Sequence, residues 1–295
     1  MIQPSNWVAG SLVALAGMAM AAEPAGANPL VYFPSFAGAC GTGLTCVGDT
    51  TVTADGALLL TPSAIGRSGA GYSATPITLG AGATFSTTFQ FRFTDPGGIN
   101  PADGITFVLA AGSSGLGQAG GGLGYQGVPR SVAVEFDTFD NDEPGRSNHV
   151  ALDVNGAVFG AGANLASFNP YGVANCVLPT PRAGCMSNGN VWTATIGYDG
   201  TTNLLNASIQ EAGRAVQQAI VNYSIDIAGI LGTTTAFVGF TAATGAGREN
   251  HTILNWSLAN DTSLGPTVPE PASILLLGAG LLGLGAAARR GRRQA

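Results

Sequence analysis

The chain has 295 residues, of which 45% are hydrophobic and only 9% are charged, and its formal net charge is -6. It contains eleven arginines and no lysine, and four of the arginines lie within the last seven residues. A nucleic-acid-binding protein needs a basic face, which this composition excludes for the main part of the chain. Apolar residues recur throughout while the net charge stays modest, which argues against intrinsic disorder.

The N-terminus carries an apolar stretch from Trp7 to Ala22 that ends in small residues. Its Ala19-Met20-Ala21 sequence fits a signal-peptidase site, although the usual basic residue near the start is missing. A buried N-terminal helix is the alternative, but a stretch rich in glycine and alanine packs poorly and residues 22–29 cannot continue a helix. We therefore predict a signal peptide over residues 1–22.

The four cysteines form two close couples, Cys40 with Cys46 and Cys176 with Cys185. Pairing within each couple would give two local disulfides, which is consistent with an oxidising compartment. A zinc site is the competing interpretation, but no histidine lies near either couple and neither spacing is Cys-x2-Cys. We favour two disulfides.

The region between the two ends shows repeated period-2 alternation, which is typical of β-strands. The alternation is clearest over residues 85–93, where four phenylalanines and Thr87 fall on one face. Further strands are predicted over residues 105–110, 131–137, 149–154, 191–198, 235–242 and 251–258. Only residues 225–231 look helical. Many short strands with turn signals and no alternating helices predict one all-β domain built as an antiparallel sandwich.

The most informative segment runs from Ser131 to Val154. In its first strand Glu135 and Asp137 share the face opposite the apolar residues, and in its second strand His149 lies on the polar face. If the two strands pair as a hairpin, His149 joins the two carboxylates. The intervening loop brings four more polar residues nearby, namely Asp140, Asn141, Asp142 and Glu143.

This acidic segment has two interpretations. Calcium takes about 6 to 8 oxygen ligands of the kinds present here. Two or three carboxylates with one imidazole suit a transition metal such as manganese. Two ions that share a carboxylate form one hypothesis, and a solvated acidic turn forms the other, because turns rich in Asp and Asn are common. The spacing alone leaves both open.

The C-terminus combines Pro269-Glu270-Pro271, about 17 apolar residues that can span a thin bilayer, and an arginine cluster at residues 289–293. A plain membrane anchor is the simple interpretation. The three parts together resemble the PEP-CTERM sorting signal of Gram-negative bacteria. That resemblance implies a linker and sorting signal over residues 263–295, a transient inner-membrane anchor, and processing by an exosortase.

The ordered motifs of the main region resemble the L-type (legume) lectins. The likeness is carried by ADGITFVLA at residues 102–110, GGGLGY at 120–125, EFDTFDN at 135–141 followed by HV at 149–150, VWTATIGYDG at 191–200 and AFVGFTAATGAGRENHTILNWSL at 236–258. The resemblance implies an antiparallel, concanavalin-like jelly roll over residues 29–262. It also implies carbohydrate binding without catalysis.

The resemblance implies a ligand set for two ions. It assigns Glu135, Asp137 and His149 to a manganese-like ion. It assigns Asp137, the backbone carbonyl of Phe139, and Asn141 to calcium.

The family's remaining shared carboxylate falls at Pro144 in this chain, where the loop is shorter than in plant lectins. The nearest substitutes are Asp142 and Glu143. Glu143 is preferred because an acidic residue before proline matches the family pattern.

Sugar binding is assigned by the same resemblance to Asp103, Gly121, Phe139 and Asn141. A carboxylate accepts hydrogen bonds from sugar hydroxyls, an amide and a backbone N–H donate to them, and a ring covers an apolar sugar face. The Ala102–Asp103 peptide bond is expected to be cis, as in the family. Residues 241–250 are expected to form a loop beside the sugar, and His251 is expected at the surface.

Two other functions compete with lectin activity. Glu135 and Asp140 approximate the Glu-x-Asp-x-x-Glu pattern of laminarinase-type glucanases, which need two carboxyls about 5 to 5.5 Å apart. That pattern does not require His149, and Asp140 is shorter than the expected glutamate. A structural matrix protein whose lectin fold has lost its sugar is the third possibility. Residues 115–120 satisfy G-x-G-x-x-G, but no helix can follow them as a dinucleotide site requires.

The sequence therefore predicts an exported, calcium- and manganese-dependent lectin that acts at the cell surface or in secreted polysaccharide. Its expected partners are a glycan or exopolysaccharide, an exosortase, and the membrane before processing. Nucleic acid is not expected as a partner, and a homo-oligomer is compatible with the resemblance.

Overall fold

The computed structural model describes residues 30–79, 82–179 and 182–260. The predicted signal peptide (1–22) and C-terminal sorting segment (263–295) lie outside the described residues. Within the described part of the chain, no helix is long and apolar enough to cross a membrane. Its α-helix, α1, is Ile227–Leu231, at the place where the sequence looked helical.

The described residues form an all-β sandwich of two antiparallel sheets, as predicted. The strands are β1 (Val31–Phe33), β2 (Leu44–Gly48), β3 (Thr51–Val52), β4 (Leu58–Thr61), β5 (Ser68–Ser73), β6 (Ile77–Thr78), β7 (Thr84–Gly98), β8 (Gly104–Ala110), β9 (Ser131–Asp137), β10 (His149–Val154), β11 (Ser167–Phe168), β12 (Trp192–Asp199), β13 (Leu204–Glu211), β14 (Gln217–Ser224), β15 (Thr235–Ala243) and β16 (Gly247–Asn260). The back sheet has the order β14-β13-β12-β7-β16-β4-β3, with β1 beside β16. The front sheet has the order β11-β10-β9-β8-β15-β5-β2, with β6 beside β15.

The core between the sheets is aromatic because β7 alternates as the sequence predicts. Phe85, Phe89, Phe91 and Phe93 are all buried. The ring of Phe89 lies 4.8 to 5.9 Å, between centroids, from three rings of the front sheet, those of Phe107, Phe136 and Phe240. These contacts lock the two sheets together through edge-to-face and stacked ring pairs.

The central strands of the front sheet are buried on both faces. Residues 111–130 fold over the outer face, where Leu123, Tyr125 and Val128 pack with Val108 and Ala133. This cover explains why every residue of β8 and β9 is buried. It also places any polar side chain on the outer face of β9 out of contact with water.

Three connections meet at one end of the sandwich. They join β7 to β8 (residues 99–103), β9 to β10 (138–148) and β15 to β16 (244–246). The prediction that residues 241–250 form a loop is wrong, because β15 continues to Ala243 and β16 begins at Gly247. Most of that segment is strand, because β15 pairs with β8 and β16 pairs with β7. Only residues 244–246 remain, as a tight turn.

Both predicted disulfides are present. Cys40 is bonded to Cys46, the latter lying on β2 at one edge of the front sheet. Cys176 is bonded to Cys185 between β11 and β12, near the opposite edge.

Candidate functional site

The acidic centre of the molecule is built by the β9–β10 hairpin. His149 pairs with Asp137 and Ala151 pairs with Glu135 in the antiparallel register, so the three polar side chains share one face. Each offers one ligand atom, and these atoms lie within 4.8 Å of one another. All three residues are buried. The structure therefore brings together the three residues that the sequence assigned to a manganese-like ion.

The imidazole of His149 is held in one orientation by its two neighbours. Its Nδ1 lies 2.6 Å from the carbonyl oxygen of Arg146, which can only accept, so Nδ1 carries the proton of that hydrogen bond. Its Nε2 lies 3.0 Å from Oε1 of Glu135. A backbone acceptor on one ring nitrogen fixes the tautomer whose other nitrogen can bind a metal.

A fourth buried acid, Asp153, belongs to the same centre. It follows His149 on the same face of β10, and its Oδ1 accepts a hydrogen bond of 2.7 Å from the backbone N–H of Asn164. Its Oδ2 is buried and makes no hydrogen bond in the described part of the chain. The period-2 pattern placed Asp153 on this face, but no motif assigned it a role.

The pKa values of this centre are displaced because its groups are desolvated. Burial raises the pKa of Glu135 to about 7 and raises those of Asp137 and Asp153 well above their ordinary range, with neighbouring carboxylates adding to the effect. Burial lowers the pKa of His149. The charged forms of these acids are therefore unfavourable together unless a cation lies among them.

The loop between the two strands supplies further oxygens. Glu143 accepts a 3.1 Å hydrogen bond at Oε1 from the backbone N–H of Asn141, while its Oε2 is buried and makes no hydrogen bond within the described residues. Desolvation raises the pKa of Glu143. Asp142 is exposed, and its N–H donates to Asp140. Of the two substitutes for the shared carboxylate, Glu143 is the one that is partly buried beside the centre.

The glucanase interpretation needs Asp140 next to Glu135, and the structure does not bring them together. The Asp140 carboxylate accepts from the N–H of Asp142 and pairs at 3.3 Å with the exposed guanidinium of Arg146. It lies outside the buried group formed by Glu135, Asp137 and His149.

The residues assigned to sugar binding lie beside the acidic centre. The Ala102–Asp103 peptide bond is cis, and the carbonyl of Asp103 accepts a 2.9 Å hydrogen bond from the N–H of Thr138. Gly121 faces the side chain of Asn141 so closely that a Cβ on Gly121 would lie 2.6 Å from Oδ1 of Asn141. Phe139 is half-buried. Four residues from three separate segments thus converge on one end of the sandwich.

The carboxyl group of Asp103 is buried against the β15–β16 turn. A Cβ on Gly245 would lie 3.3 Å from its Oδ2, an atom without a hydrogen bond in the described part of the molecule. Desolvation, followed by the charge of Glu249, raises the pKa of Asp103 to about 7, although a hydrogen bond from the Gly245 backbone opposes the rise. The short turn therefore contacts the site, as expected of the segment even though it is not a long loop.

Glu249 and His251 lie behind this site, and the expectation of a surface His251 is wrong. Both side chains are fully buried. His251 Nδ1 lies 2.7 Å from the hydroxyl of Thr61, and Glu249 Oε1 accepts from the hydroxyls of Thr138 and Ser187. Sequence reasoning missed this cluster because its members come from distant parts of the chain. The alternation of β16 about buried Ile253 was the signal that places both residues inward.

The donor set fits the two ions that the sequence implies. Carboxylates and an amide oxygen suit calcium, and a group that also contains a neutral imidazole nitrogen suits manganese. Three of the buried oxygens without hydrogen bonds among the described residues belong to this set or adjoin it, those of Asn141, Glu143 and Asp153. Unpaired buried acceptors are costly, and a cation would satisfy them.

A two-sheet β-sandwich with a buried carboxylate–histidine centre beside a cis Ala-Asp peptide defines a carbohydrate-binding jelly roll. The legume lectin domain model matches residues 31–271, and the chain belongs to that family. A PEP-CTERM protein-sorting motif matches residues 267–293, which implies export by exosortase sorting.

Known proteins similar to this chain are plant lectins or carry a lectin domain. It is 31% identical to a lectin alpha chain from Lablab purpureus over 76% of this chain and 79% of that protein. It is 32% identical to an L-type lectin-domain containing receptor kinase from Arabidopsis thaliana, matching 64% of this chain but only 25% of the kinase. Winged bean acidic lectin, solved in complex with methyl-α-D-galactose, shares 25% identity with a TM-score of 0.64 and covers 78% of this chain and 97% of its own.

Proposed function

We propose that this protein is an exported lectin that binds glycans in a calcium- and manganese-dependent manner. One observation carries the proposal: the buried group of Glu135, Asp137 and His149 lies directly beside Asp103, Gly121 and Asn141. The hydrogen bond from Thr138 to Asp103 joins the two sets of residues. A cation centre and a sugar-binding set that share a loop are expected to act as one unit.

The ions would be held by residues of β9, β10 and the loop between them. Glu135, Asp137 and His149 would hold the manganese-like ion, and Asp137, the Phe139 carbonyl and Asn141 would hold calcium. Glu143, or else Asp142, would supply the shared carboxylate. The bound cations would neutralise the buried carboxylates and restrict the loop, so that Asn141 is ordered before a ligand arrives.

The sugar would contact residues whose chemistry is complementary to hydroxyl groups. Asp103 would accept hydrogen bonds from two hydroxyls, while the Gly121 N–H and the Asn141 amide would donate to them. The Phe139 ring would cover the apolar face of the sugar. Hydrogen bonds to a buried carboxylate contribute about 1.5 to 3 kcal/mol each, so Asp103 should dominate the affinity.

A groove beside the site gives a longer glycan room to extend. Its volume is about 520 Å³, and it is lined by residues 141–144 on one side and by residues that include Phe159 and Asn164 on the other. Asn141 belongs to both the groove and the proposed sugar-binding set. Phe159 is 42% exposed, which offers a second ring for an apolar sugar face.

The place of action follows from the sorting motif. We propose that an exosortase processes the chain near Pro269-Glu270-Pro271 after a transient inner-membrane stage, and that the mature domain acts at the cell surface or in secreted polysaccharide. The two disulfides support export, because such bonds persist in oxidising compartments.

The decisive experiment is a glycan array probed with the metal-loaded protein, the chelator-stripped protein and an Asp103→Asn variant. We expect the loaded protein to bind a restricted set of glycans, and the other two samples to lose that binding. Chelation should also lower the melting temperature, because ions that bind the folded state stabilise it. Binding that persists in excess chelator would refute metal dependence. A loaded protein that binds no glycan would favour a structural matrix role, and release of sugar products would favour a hydrolase.

A further inference from the structure

The segment closed by the Cys176–Cys185 disulfide packs against the chain that leads into β10. We call residues 169–179 and 182–188 the disulfide loop. Both cysteines are buried, with relative exposures of 1% and 0%. Its position between β11 and β12 brings it to residues 145–148, immediately before His149.

Every polar atom of the Asn148 side chain bonds to the backbone of this loop. Its Nδ2 donates to the carbonyls of Val173 at 2.7 Å and Gly184 at 2.9 Å. Its Oδ1 accepts from the N–H of Met186 at 2.8 Å. Asn148 is fully buried and has a φ of 95°, so its backbone is held in a conformation that L-residues rarely adopt. The three bonds reach both arms of the disulfide loop, on either side of the disulfide.

Neighbouring residues add further bonds between the same two segments. The hydroxyl of Ser147 donates to the carbonyl of Ala174 at 3.2 Å and accepts from the N–H of Cys176 at 3.1 Å. The amide of Asn169 donates to the carbonyls of Gly145 at 2.6 Å and Asn148 at 2.8 Å. The chain before β10 is therefore bonded to the disulfide loop at several points, in addition to the 3.2 Å hydrogen bond from the Asn148 N–H to the carbonyl of Asp137 on β9.

The other end of the disulfide loop is tied to the strand behind the site. Ser187 donates to the buried carboxylate of Glu249 at 3.1 Å, and the same oxygen accepts from Thr138 at 2.6 Å. Thr138 follows Asp137 in the chain. The loop thus braces both the beginning and the end of the β9–β10 connection.

We infer that the disulfide loop positions His149 for cation binding, with Asn148 as the positioning residue between them. Residues 145–148 include Arg146, whose carbonyl accepts the Nδ1 hydrogen bond of the imidazole. Holding this segment fixes both the backbone of His149 and the orientation of its ring. The inference rests on the proposed metal site and names a part of the chain that determines its affinity.

The test compares Mn2+ affinity, measured with Mn2+ alone at fixed pH by electron paramagnetic resonance of the free ion. Asn148→Gly removes the three side-chain bonds while keeping a residue that tolerates a positive φ. A second variant, Cys176→Ser with Cys185→Ser, opens the loop. The matched control is Cys40→Ser with Cys46→Ser, which removes the disulfide at the far edge of the front sheet.

We expect both test variants to bind Mn2+ about tenfold more weakly, the size of effect typical when the partners that orient a metal ligand are lost. The control should stay within about twofold of the wild type on the same scale. Hydrogen exchange of the metal-free proteins gives an independent result: residues 145–149 should lose protection in the test variants while β7 and β16 keep theirs. Uniform loss of protection would indicate general destabilisation and overturn the inference.

The outcomes separate this inference from the proposed function. If the wild type binds Mn2+ and the Asn148→Gly variant binds it equally well, the disulfide loop has no positioning role. A wild type that binds no Mn2+ would contradict the proposed metal site, and the exchange experiment would still decide whether the loop orders residues 145–149. The Gly variant preserves the disulfide, so the test remains decisive if the serine variant fails to fold.

Discussion

Close contact between Gly121 and Asn141 constrains the arrangement of the residues proposed to bind sugar. Asn141 lies over the Cα of Gly121, and Oδ1 of its amide is buried without a hydrogen bond in the described part of the chain. A side chain at position 121 would have to displace that amide. The position is therefore restricted by the site and not by backbone conformation, because Gly121 does not have a positive φ.

Gly121→Ala should lower glycan affinity at least tenfold with little loss of stability. The new Cβ would lie 2.6 Å from Asn141 Oδ1, so the amide would have to rotate away from the proposed calcium and sugar sites. The control is Gly112→Ala in the same covering segment, where a Cβ would meet nothing within 4 Å. Isothermal titration with a glycan selected from the array measures both affinities. Equal affinities for the two variants would show that Asn141 is not part of the sugar site.

Glycan affinity should fall on acidification because Asp103 must be ionised to accept two hydroxyl hydrogen bonds. Desolvation raises the pKa of Asp103 to about 7, so its carboxylate is lost as the pH falls through and below that value, while neighbouring cations would move the loss to lower pH. Asp103→Asn should weaken binding about tenfold to a hundredfold and remove this part of the pH dependence. Titrations of metal-saturated protein from pH 8 to pH 4 test the point. A flat wild-type profile would contradict the role of Asp103.

At the scale of strands, β7 carries the packing that joins the two sheets. Its Phe89 ring contacts Phe91 on the same strand and the three front-sheet rings named above. Phe89 is fully buried, so removing its ring without rearrangement would leave a cavity that water does not fill. The strands that hold the acidic centre depend on this core for their spacing.

Phe89→Ala should cost about 3 to 5 kcal/mol of unfolding free energy, because it removes a large buried ring and leaves a cavity. Gln90→Ala, on the opposite face of β7, should cost no more than about 1.5 kcal/mol, because its loss is mainly the hydrogen bond from Asn255. Denaturant unfolding of both variants measures the difference. Similar costs would mean that β7 does not carry the aromatic core.

Period-2 alternation predicted the strands whose own residues show that pattern clearly. The seven predicted strands all occur, and alternation alone placed Glu135, Asp137 and His149 on the polar faces that meet in the β9–β10 hairpin. The short strands β1 to β6 were not predicted, because two- to six-residue strands are stabilised by their partners more than by their own pattern. On β13 the alternation of apolar and polar residues is interrupted by Glu211. This charged residue faces inward and accepts hydrogen bonds from Asn188, Asn190 and Arg214.

The site residues also divide into those that strand patterning brings together and those that only tertiary packing brings together. Glu135, Asp137 and His149 could be placed together because two adjacent strands of known period carry them. Glu249 could not, because only the packing of the back sheet against the β9–β10 connection brings it to Thr138. The bond between His251 and Thr61 likewise joins residues far apart in the chain. The bonds from the disulfide loop to Asn148 were equally unpredictable, since they join backbone groups whose positions no sequence pattern encodes.

At the scale of the whole molecule, the buried acids make the fold depend on cations and on pH. Five carboxyl groups that belong to or adjoin the site, those of Asp103, Glu135, Asp137, Glu143 and Asp153, have raised pKa values because burial desolvates them. A folded protein that must keep these groups desolvated gains stability when they are protonated or when a cation neutralises them.

The metal-free protein should therefore lose stability as the pH rises from about 4 to about 7, the window between ordinary carboxyl pKa values and the raised values of Glu135 and Asp103. In that window the folded chain binds more protons than the unfolded chain, so the free energy of unfolding falls with pH. The lowered pKa values of His149, Asp55, Asp199 and Glu211 act in the opposite direction, but the larger shifts are those of the buried acids at the site.

Metal-loaded protein should show the reverse trend, because cations bind the deprotonated ligands and binding strengthens as the pH rises. The difference in melting temperature between loaded and chelator-stripped protein should therefore widen from pH 4.5 to pH 8, and scanning calorimetry at several pH values measures it. Asp137→Asn provides the control, since it removes one buried carboxyl and should both flatten the metal-free profile and shrink the gain from metal. A stripped wild type whose melting temperature rises steadily across this range would show that the acids are not destabilising in the fold, and the argument for a cation among them would fail.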